Sequence, residues 1–170
     1  MSCARIITLV ALAAILCGAF ASVSSADNSF DCNPTKPNGN VPPGERSSPD
    51  FFGNGDLWTV LWPEGNVVFR PKGPGFILPD GSLKMKFPWW RRIPDKLTIH
   101  GRRLDSSARP LRVHIGKADR KDFVPSYLIF PTQGCWEITA KAGTSSLAFV
   151  TRVSRVGYRK RSGNHKTSSP

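Results

Sequence analysis

Phe130-Pro131-Thr132-Gln133-Gly134-Cys135-Trp136-Glu137-Ile138-Thr139-Ala140-Lys141-Ala142-Gly143-Thr144-Ser145-Ser146-Leu147-Ala148-Phe149-Val150-Thr151-Arg152-Val153 reads as a closing β-hairpin. Side chains alternate faces along a strand. Trp136, Ile138, Ala140 and Ala142 therefore share one face, and Cys135, Glu137, Thr139 and Lys141 share the other. Gly143-Thr144-Ser145 makes a tight reversal. On the return arm Leu147, Phe149, Thr151 and Val153 alternate with Ala148, Val150 and Arg152. Apolar groups on both faces suit a strand inside a sheet. Trp136 is predicted to be a core anchor whose indole N–H needs an acceptor.

Outward from this hairpin, short apolar runs recur between turn residues. Leu57–Trp62 precedes Pro63-Glu64-Gly65-Asn66, and Val67–Arg70 stops at Pro71-Lys72-Gly73-Pro74-Gly75. Phe76-Ile77-Leu78 ends at Pro79-Asp80-Gly81-Ser82, where Pro presets φ and Gly accepts positive φ. Leu83–Phe87, Leu97–His100 and Leu111–Ile115 alternate, and Tyr127–Phe130 completes the set. No window sustains a 3.6-residue apolar period. Fifteen Pro and fifteen Gly also oppose long helices. The expectation is all-β: one small β-sandwich, immunoglobulin-like, of about eight or nine strands.

Residues 1–26 read as a signal peptide. Arg5 is the positive n-region, Ile6–Phe20 the apolar h-region, and Ser24-Ser25-Ala26 a small-residue cleavage pattern, with Ala19-Phe20-Ala21 as a second possible site. A retained anchor is the alternative, but the run falls short of the ~20 residues that span a bilayer. Lipidation at Cys17 is disfavoured because Leu16 precedes it. The expected mature protein is secreted or extracytoplasmic, in the periplasm or at the cell surface, and not an integral membrane protein. Residues 27–50, rich in Pro, Asn, Gly and Ser, are predicted to form an irregular arm, tied to the body through Cys32 rather than by its own packing. Residues 51–156 form the sandwich domain, and 157–170 a disordered basic tail.

Cys3 and Cys17 leave with the leader, so Cys32 and Cys135 remain. In an oxidising compartment such a pair favours a disulfide. A reactive thiol or metal ligand is the alternative, opposed by the lack of a CxxC or a histidine at ligand spacing.

Lys plus Arg number 24 against 12 Asp plus Glu, a net +12. Arg152, Arg155, Arg159, Lys160, Arg161 and Lys166 lie in the last stretch without an acid. Arg91, Arg92, Arg102, Arg103, Arg109 and Arg112 form a second cluster. Such an excess favours anionic envelope polymers, glycans or lipids as partners, with no specific nucleic acid expected. A solvated basic surface is the plainer reading.

The chain resembles an uncharacterised bacterial family of predicted secreted proteins. The matching stretches are Gly53–Leu61, Gly73–Leu83, Lys86–Arg91, Leu97–Leu104 and Gly134–Glu137, within about Cys32 to Val153. Phe-Pro-x-x before Gly-x-Trp-x-Ile also resembles the end of bacterial extracytoplasmic immunoglobulin-like domains. The resemblance implies family membership and little else, and brings no activity, substrate or catalytic residue.

Phe87-Pro88-Trp89-Trp90-Arg91-Arg92 is the foremost candidate surface. Adjacent tryptophans on an extended chain point to opposite faces, so one could be core and the other exposed. An exposed Trp89 or Trp90 could stack on a sugar while Arg91 and Arg92 hold an anion. The alternative packs both rings under a loop. Gly101-Arg102-Arg103-Leu104-Asp105 reads as a structural turn with Arg103 paired to Asp105. His100 and His114 could meet on adjacent strands, but two histidines make a weak metal site, and no metal or cofactor is expected. There is no GxSxG, HExxH or Walker loop. Glu64, Glu137 and the aspartates sit in no recognisable frame for glycoside cleavage. The expected function is a non-enzymatic structural or binding protein of the cell envelope. The alternatives are a carbohydrate- or polyanion-binding module using Trp89 and Trp90, and a hydrolase with an unfamiliar site.

Overall fold

A computed structural model describes residues 30–118 and 120–157. Residues 1–26, expected to be a signal peptide, and the basic stretch beyond Gly157, expected to be a disordered tail, lie outside the described residues. Among the described residues ten strands form: β1 Phe51–Gly53, β2 Leu57–Val60, β3 Asn66–Phe69, β4 Phe76–Ile77, β5 Leu83–Arg91, β6 Leu97–Arg103, β7 Arg112–Ile115, β8 Phe123–Phe130, β9 Gly134–Ala142 and β10 Ser145–Arg155. A 3-10 turn, Pro63–Gly65, precedes β3.

One sheet runs β1-β2-β5-β8-β7, with β4 beside the start of β5. The other runs β3-β10-β9-β6. In an immunoglobulin sandwich strands B, E and D share one sheet and C, F and G the other. Here β5, β8 and β7 face β6, β9 and β10 in that same chain order, so the protein is an immunoglobulin-like β-sandwich. β3 joins β10 in parallel, and the β1–β2 hairpin extends the first sheet beyond β5.

The alternation of the final hairpin holds. Trp136, Ile138, Ala140, Leu147, Phe149 and Val153 are all buried, and Trp136 Nε1 donates to the Thr132 carbonyl at 3.1 Å. β10 lies between β3 and β9, as its two apolar faces require. Phe149 packs against Phe87 and Trp89 of the opposite sheet, with ring centroids 6.0 and 6.2 Å away. Met85, Leu128 and Phe130 complete the centre of the core.

β5 continues through Pro88, which faces Pro125 across the β5–β8 ladder. A residue in an antiparallel strand turns its N–H and C=O to the same side. The Pro88 carbonyl accepts the Thr59 hydroxyl at 2.8 Å, and the Pro125 carbonyl accepts the Gly116 N–H at 2.8 Å. Both carbonyls therefore point away from the shared ladder, and neither missing N–H leaves a gap in it.

The arm is held by more than its cysteine, which corrects the expectation that Cys32 alone ties it down. Cys32 and Cys135 are bonded, with Cα atoms 5.6 Å apart. Unlike the immunoglobulin disulfide, which crosses between sheets, this one pins the arm to the outer side of β9. Thr35 then trades two hydrogen bonds with the Val150 backbone, at 2.8 and 2.9 Å. That is the part of β10 that β3 does not reach. Asn38 caps Gly53 through both its amide nitrogen and its oxygen. The arm next covers the outer face of the first sheet, where Val41 packs on a second apolar cluster of Phe51, Trp58 and Trp90.

Candidate functional site

Trp89 and Trp90 do point to opposite faces, but neither is free. Trp89 is fully buried in the main core, and its indole donates to Ser126 Oγ at 2.9 Å. Trp90 is 8% exposed, sandwiched edge-on between Phe51 and Phe123, and donates to Glu45 of the arm at 2.9 Å. Of the two readings, packing of both rings under a loop is the one seen, and an exposed stacking ring is not: the arm supplies a lid from 45 residues earlier in the chain. Arg91 donates to the backbone carbonyls of Asp95 and Lys121. Arg92 is paired with Asp56, which also accepts from Ser145 Oγ at 3.0 Å. These two bonds, Arg92's first, hold the Asp56 carboxyl below its usual range. A hollow lined by Pro42, Pro43, Trp58, Trp90, Arg91, Arg92 and Asp122 measures about 180 Å³. Small-molecule sites generally start near ~300 Å³.

The other sequence candidates also find structural partners. Arg103 pairs with Asp105 at 2.6 Å, as expected, and also donates to Thr132 Oγ1 at 3.1 Å, but Gly101–Arg103 belong to β6 and only the residues from Leu104 turn. Arg102 grips both oxygens of Glu137 at 3.0 Å. Arg102, Arg103 and Asp105 line a hollow of about 610 Å³ formed by residues 101–110. Glu64 faces Lys36 at 3.6 Å. His100 lies on β6 and His114 on β7, strands of opposite sheets, so they do not meet. Among the described residues no three His, Cys, Asp or Glu side chains gather as a metal site.

A different surface brings several basic side chains together. On the outer face of the first sheet, Arg112, Ile129 and Lys84 form one cross-strand row. Phe76 of β4 extends that row beyond Lys84 and is 56% exposed. His114, Tyr127 and Lys86 form the next row. Inward neighbours Val113, Leu128 and Met85 sit in the core and fix this register. Strands lie ~4.8 Å apart and alternate residues ~6.8 Å along a strand. Lys84, Lys86, His114 and Arg112 therefore anchor the corners of a rectangle of about 7 by 10 Å. Lys84 Nζ sits 4.1 Å from the Tyr127 ring centroid, a cation–π contact. Neither Lys84 nor Lys86 has a carboxylate partner among the described residues. Arg112 is tied to Asp80 at 2.8 Å and to Ser82 Oγ at 2.7 Å. Bonds from Ser82, then the nearby Arg112, hold the Asp80 carboxyl below its usual range.

Sequence reasoning saw each of these strands' polar faces but not their meeting. The alternation in Leu83–Phe87 and Leu111–Ile115 marks the lysines, Arg112 and His114 as outward. Only the pairing of β8 with both strands joins them. No family model matches the chain, and no curated protein matches it.

Proposed function

We propose that this protein is an exported, non-enzymatic β-sandwich that binds extended polyanions of the cell envelope through the outer face of its first sheet. The observation that carries this reading is the two-row grid of Lys84, Lys86, Arg112 and His114 around Tyr127 and Ile129, with Asp80 as the acid beside it. A flat sheet face suits an extended polymer better than a compact ligand. Carboxylate or phosphate groups spaced along such a polymer meet several cations at once, and multiple weak contacts add. The export reading rests on the leader pattern in residues 1–26 and is compatible with the Cys32–Cys135 bond. Trp89 and Trp90 serve this reading as packing, not as contact residues.

The test separates this face from net charge. Retention on immobilised polygalacturonate and on immobilised polyphosphate is measured for the wild type, Lys84→Gln/Lys86→Gln, and the charge-matched control Lys96→Gln/Lys141→Gln. Lys96 and Lys141 are exposed and lie away from this face. The face variant should elute at clearly lower salt than the control. Equal elution of the two variants would leave only the general charge effect.

A further inference from the structure

Of the five tryptophans, four donate their indole N–H to a protein acceptor: Trp58 to Asn40, Trp89 to Ser126, Trp90 to Glu45 and Trp136 to Thr132. Trp62 is half-buried and its indole N–H has no acceptor among the described residues. It sits just past the end of β2, before the Pro63–Gly65 turn. Its ring packs partly on the core and lines a groove of about 350 Å³ with Pro63, Asn66, Val68, Arg70 and Pro74.

The groove follows from alternation along β3. Val67 and Phe69 are buried, so Asn66 and Val68 face out, and Arg70 continues the row. β3 is the edge of its sheet, so among the described residues nothing pairs along its far side. Val68 makes the floor, Trp62 with Pro63 and Pro74 the apolar lining, and Asn66 and Arg70 the polar ends. Four residues of strand place those ends ~13 Å apart. The exposed Arg70 guanidinium has no hydrogen bond or carboxylate among the described residues. Glu64, the acid of the adjoining turn, faces Lys36 instead. The two non-glycine residues with positive φ among the described residues, Glu64 at 54° and Lys72 at 60°, fall in the turns on either side of this groove. Such backbone outliers gather at ligand sites.

We propose that this groove is a binding site for an acidic sugar residue, separate from the cationic face of the first sheet. The Trp62 ring would take the C–H face of a pyranose, and its N–H would donate to a ring hydroxyl. The Arg70 guanidinium would hold the carboxylate in a charge-assisted pair. Asn66 Oδ1 is placed for a second hydroxyl. The apolar lining selects for a ring with an apolar face, and the free guanidinium selects for an acid over a neutral sugar.

The test is titration of the purified full-length protein with digalacturonate and with its dimethyl ester, read by tryptophan fluorescence and by ligand-observed NMR. The other four indoles are buried and bonded, so the fluorescence change reports Trp62. Digalacturonate should saturate the signal, and the ester should bind about tenfold more weakly, the loss of one charge-assisted contact. Arg70→Gln should erase the preference for the acid. Trp62→Ala should abolish ligand-observed binding, and because Trp62 also packs on the core, Arg70→Gln keeps the test valid if that variant unfolds. Lys84→Gln/Lys86→Gln should bind digalacturonate as the wild type does, which also separates this site from the sheet face. The proposal is overturned if wild type shows no saturable binding, if Arg70→Gln keeps the preference, or if Lys84→Gln/Lys86→Gln abolishes binding. Saturation by a proline-rich decapeptide with none by digalacturonate would assign the groove to peptide and overturn it as well.

Discussion

The guanidinium of Arg103 rests against the backbone of Gly134: a Cβ on Gly134 would stand 2.3 Å from Arg103 Nε. Gly134 also has φ of +139°, a conformation that L side chains rarely adopt. Arg103 cannot swing aside cheaply, because Asp105 and Thr132 both hold it. Gly134→Ala should therefore destabilise by about 1–3 kcal/mol. Urea unfolding checks this. Adding Arg103→Ala to the glycine variant should recover the steric part of the loss and leave the backbone part.

The Cys32–Cys135 bond closes a loop of 103 residues. The chain-entropy model assigns such a closure about 4–5 kcal/mol. Unfolding with and without reductant should differ by roughly that amount, less whatever the arm's remaining contacts retain. Hydrogen exchange in the reduced protein should rise first at Thr35, whose N–H reaches the Val150 carbonyl at 2.8 Å.

Trp90→Ala should cost about 3–5 kcal/mol, the range for emptying a buried aromatic site. The ring fills the space between Phe51 and Phe123 under the arm. Trp90→Phe should keep most of the packing and lose only the bond to Glu45. Denaturant midpoints of the two variants rank these effects. A Trp90→Ala protein as stable as wild type would contradict the buried placement.

Acid should weaken the fold in a defined direction. Asp56, Asp80, Asp105 and Asp122 all ionise more readily than their ordinary value of 3.8, each held by a hydrogen-bonding partner. For Asp105 and Asp122 the largest cause is the bond from Arg103 and Arg120 respectively. A depressed folded-state value stabilises above the ordinary value and is lost as pH falls through the folded one. Stability should stay level from neutral pH down to about 5, then decline through and below ~4. Asp105→Asn should be less stable at neutral pH and show a shallower acid decline. Thermal melts across that range measure both.

How much of this was legible in the chain differs from element to element. β9 and β10 were legible because period-two burial is a local property, and each residue's neighbours decide its face. The Pro79-Asp80-Gly81 turn was legible for the same reason: Gly81 has φ of +80° and its N–H returns to the Leu78 carbonyl at 2.8 Å. β1 was missed because Phe51-Phe52-Gly53 is too short to show alternation, with Phe51 in one cluster and Phe52 against the other. Packing of Trp90 under a loop was legible as one reading, but its cover was not, because Glu45 and Val41 come from a stretch with no pattern of its own. Trp62 looked like the last residue of a strand, yet β2 ends at Val60. The cationic face was illegible because its basic residues lie on β5 and β7, which are not consecutive in the chain and are joined only through β8.

The central claim is that the outer face of the first sheet, rather than overall charge, receives the polyanion. Amide and side-chain NMR of the full-length protein, titrated with a short polyphosphate at physiological salt, tests it most directly. The account predicts that the largest shifts fall on Lys84, Lys86, Arg112, His114 and Tyr127, with the outer face of the second sheet at Thr139 and Lys141 little changed. Shifts concentrated in the basic stretch after Arg152, with the Tyr127 face silent, would contradict it.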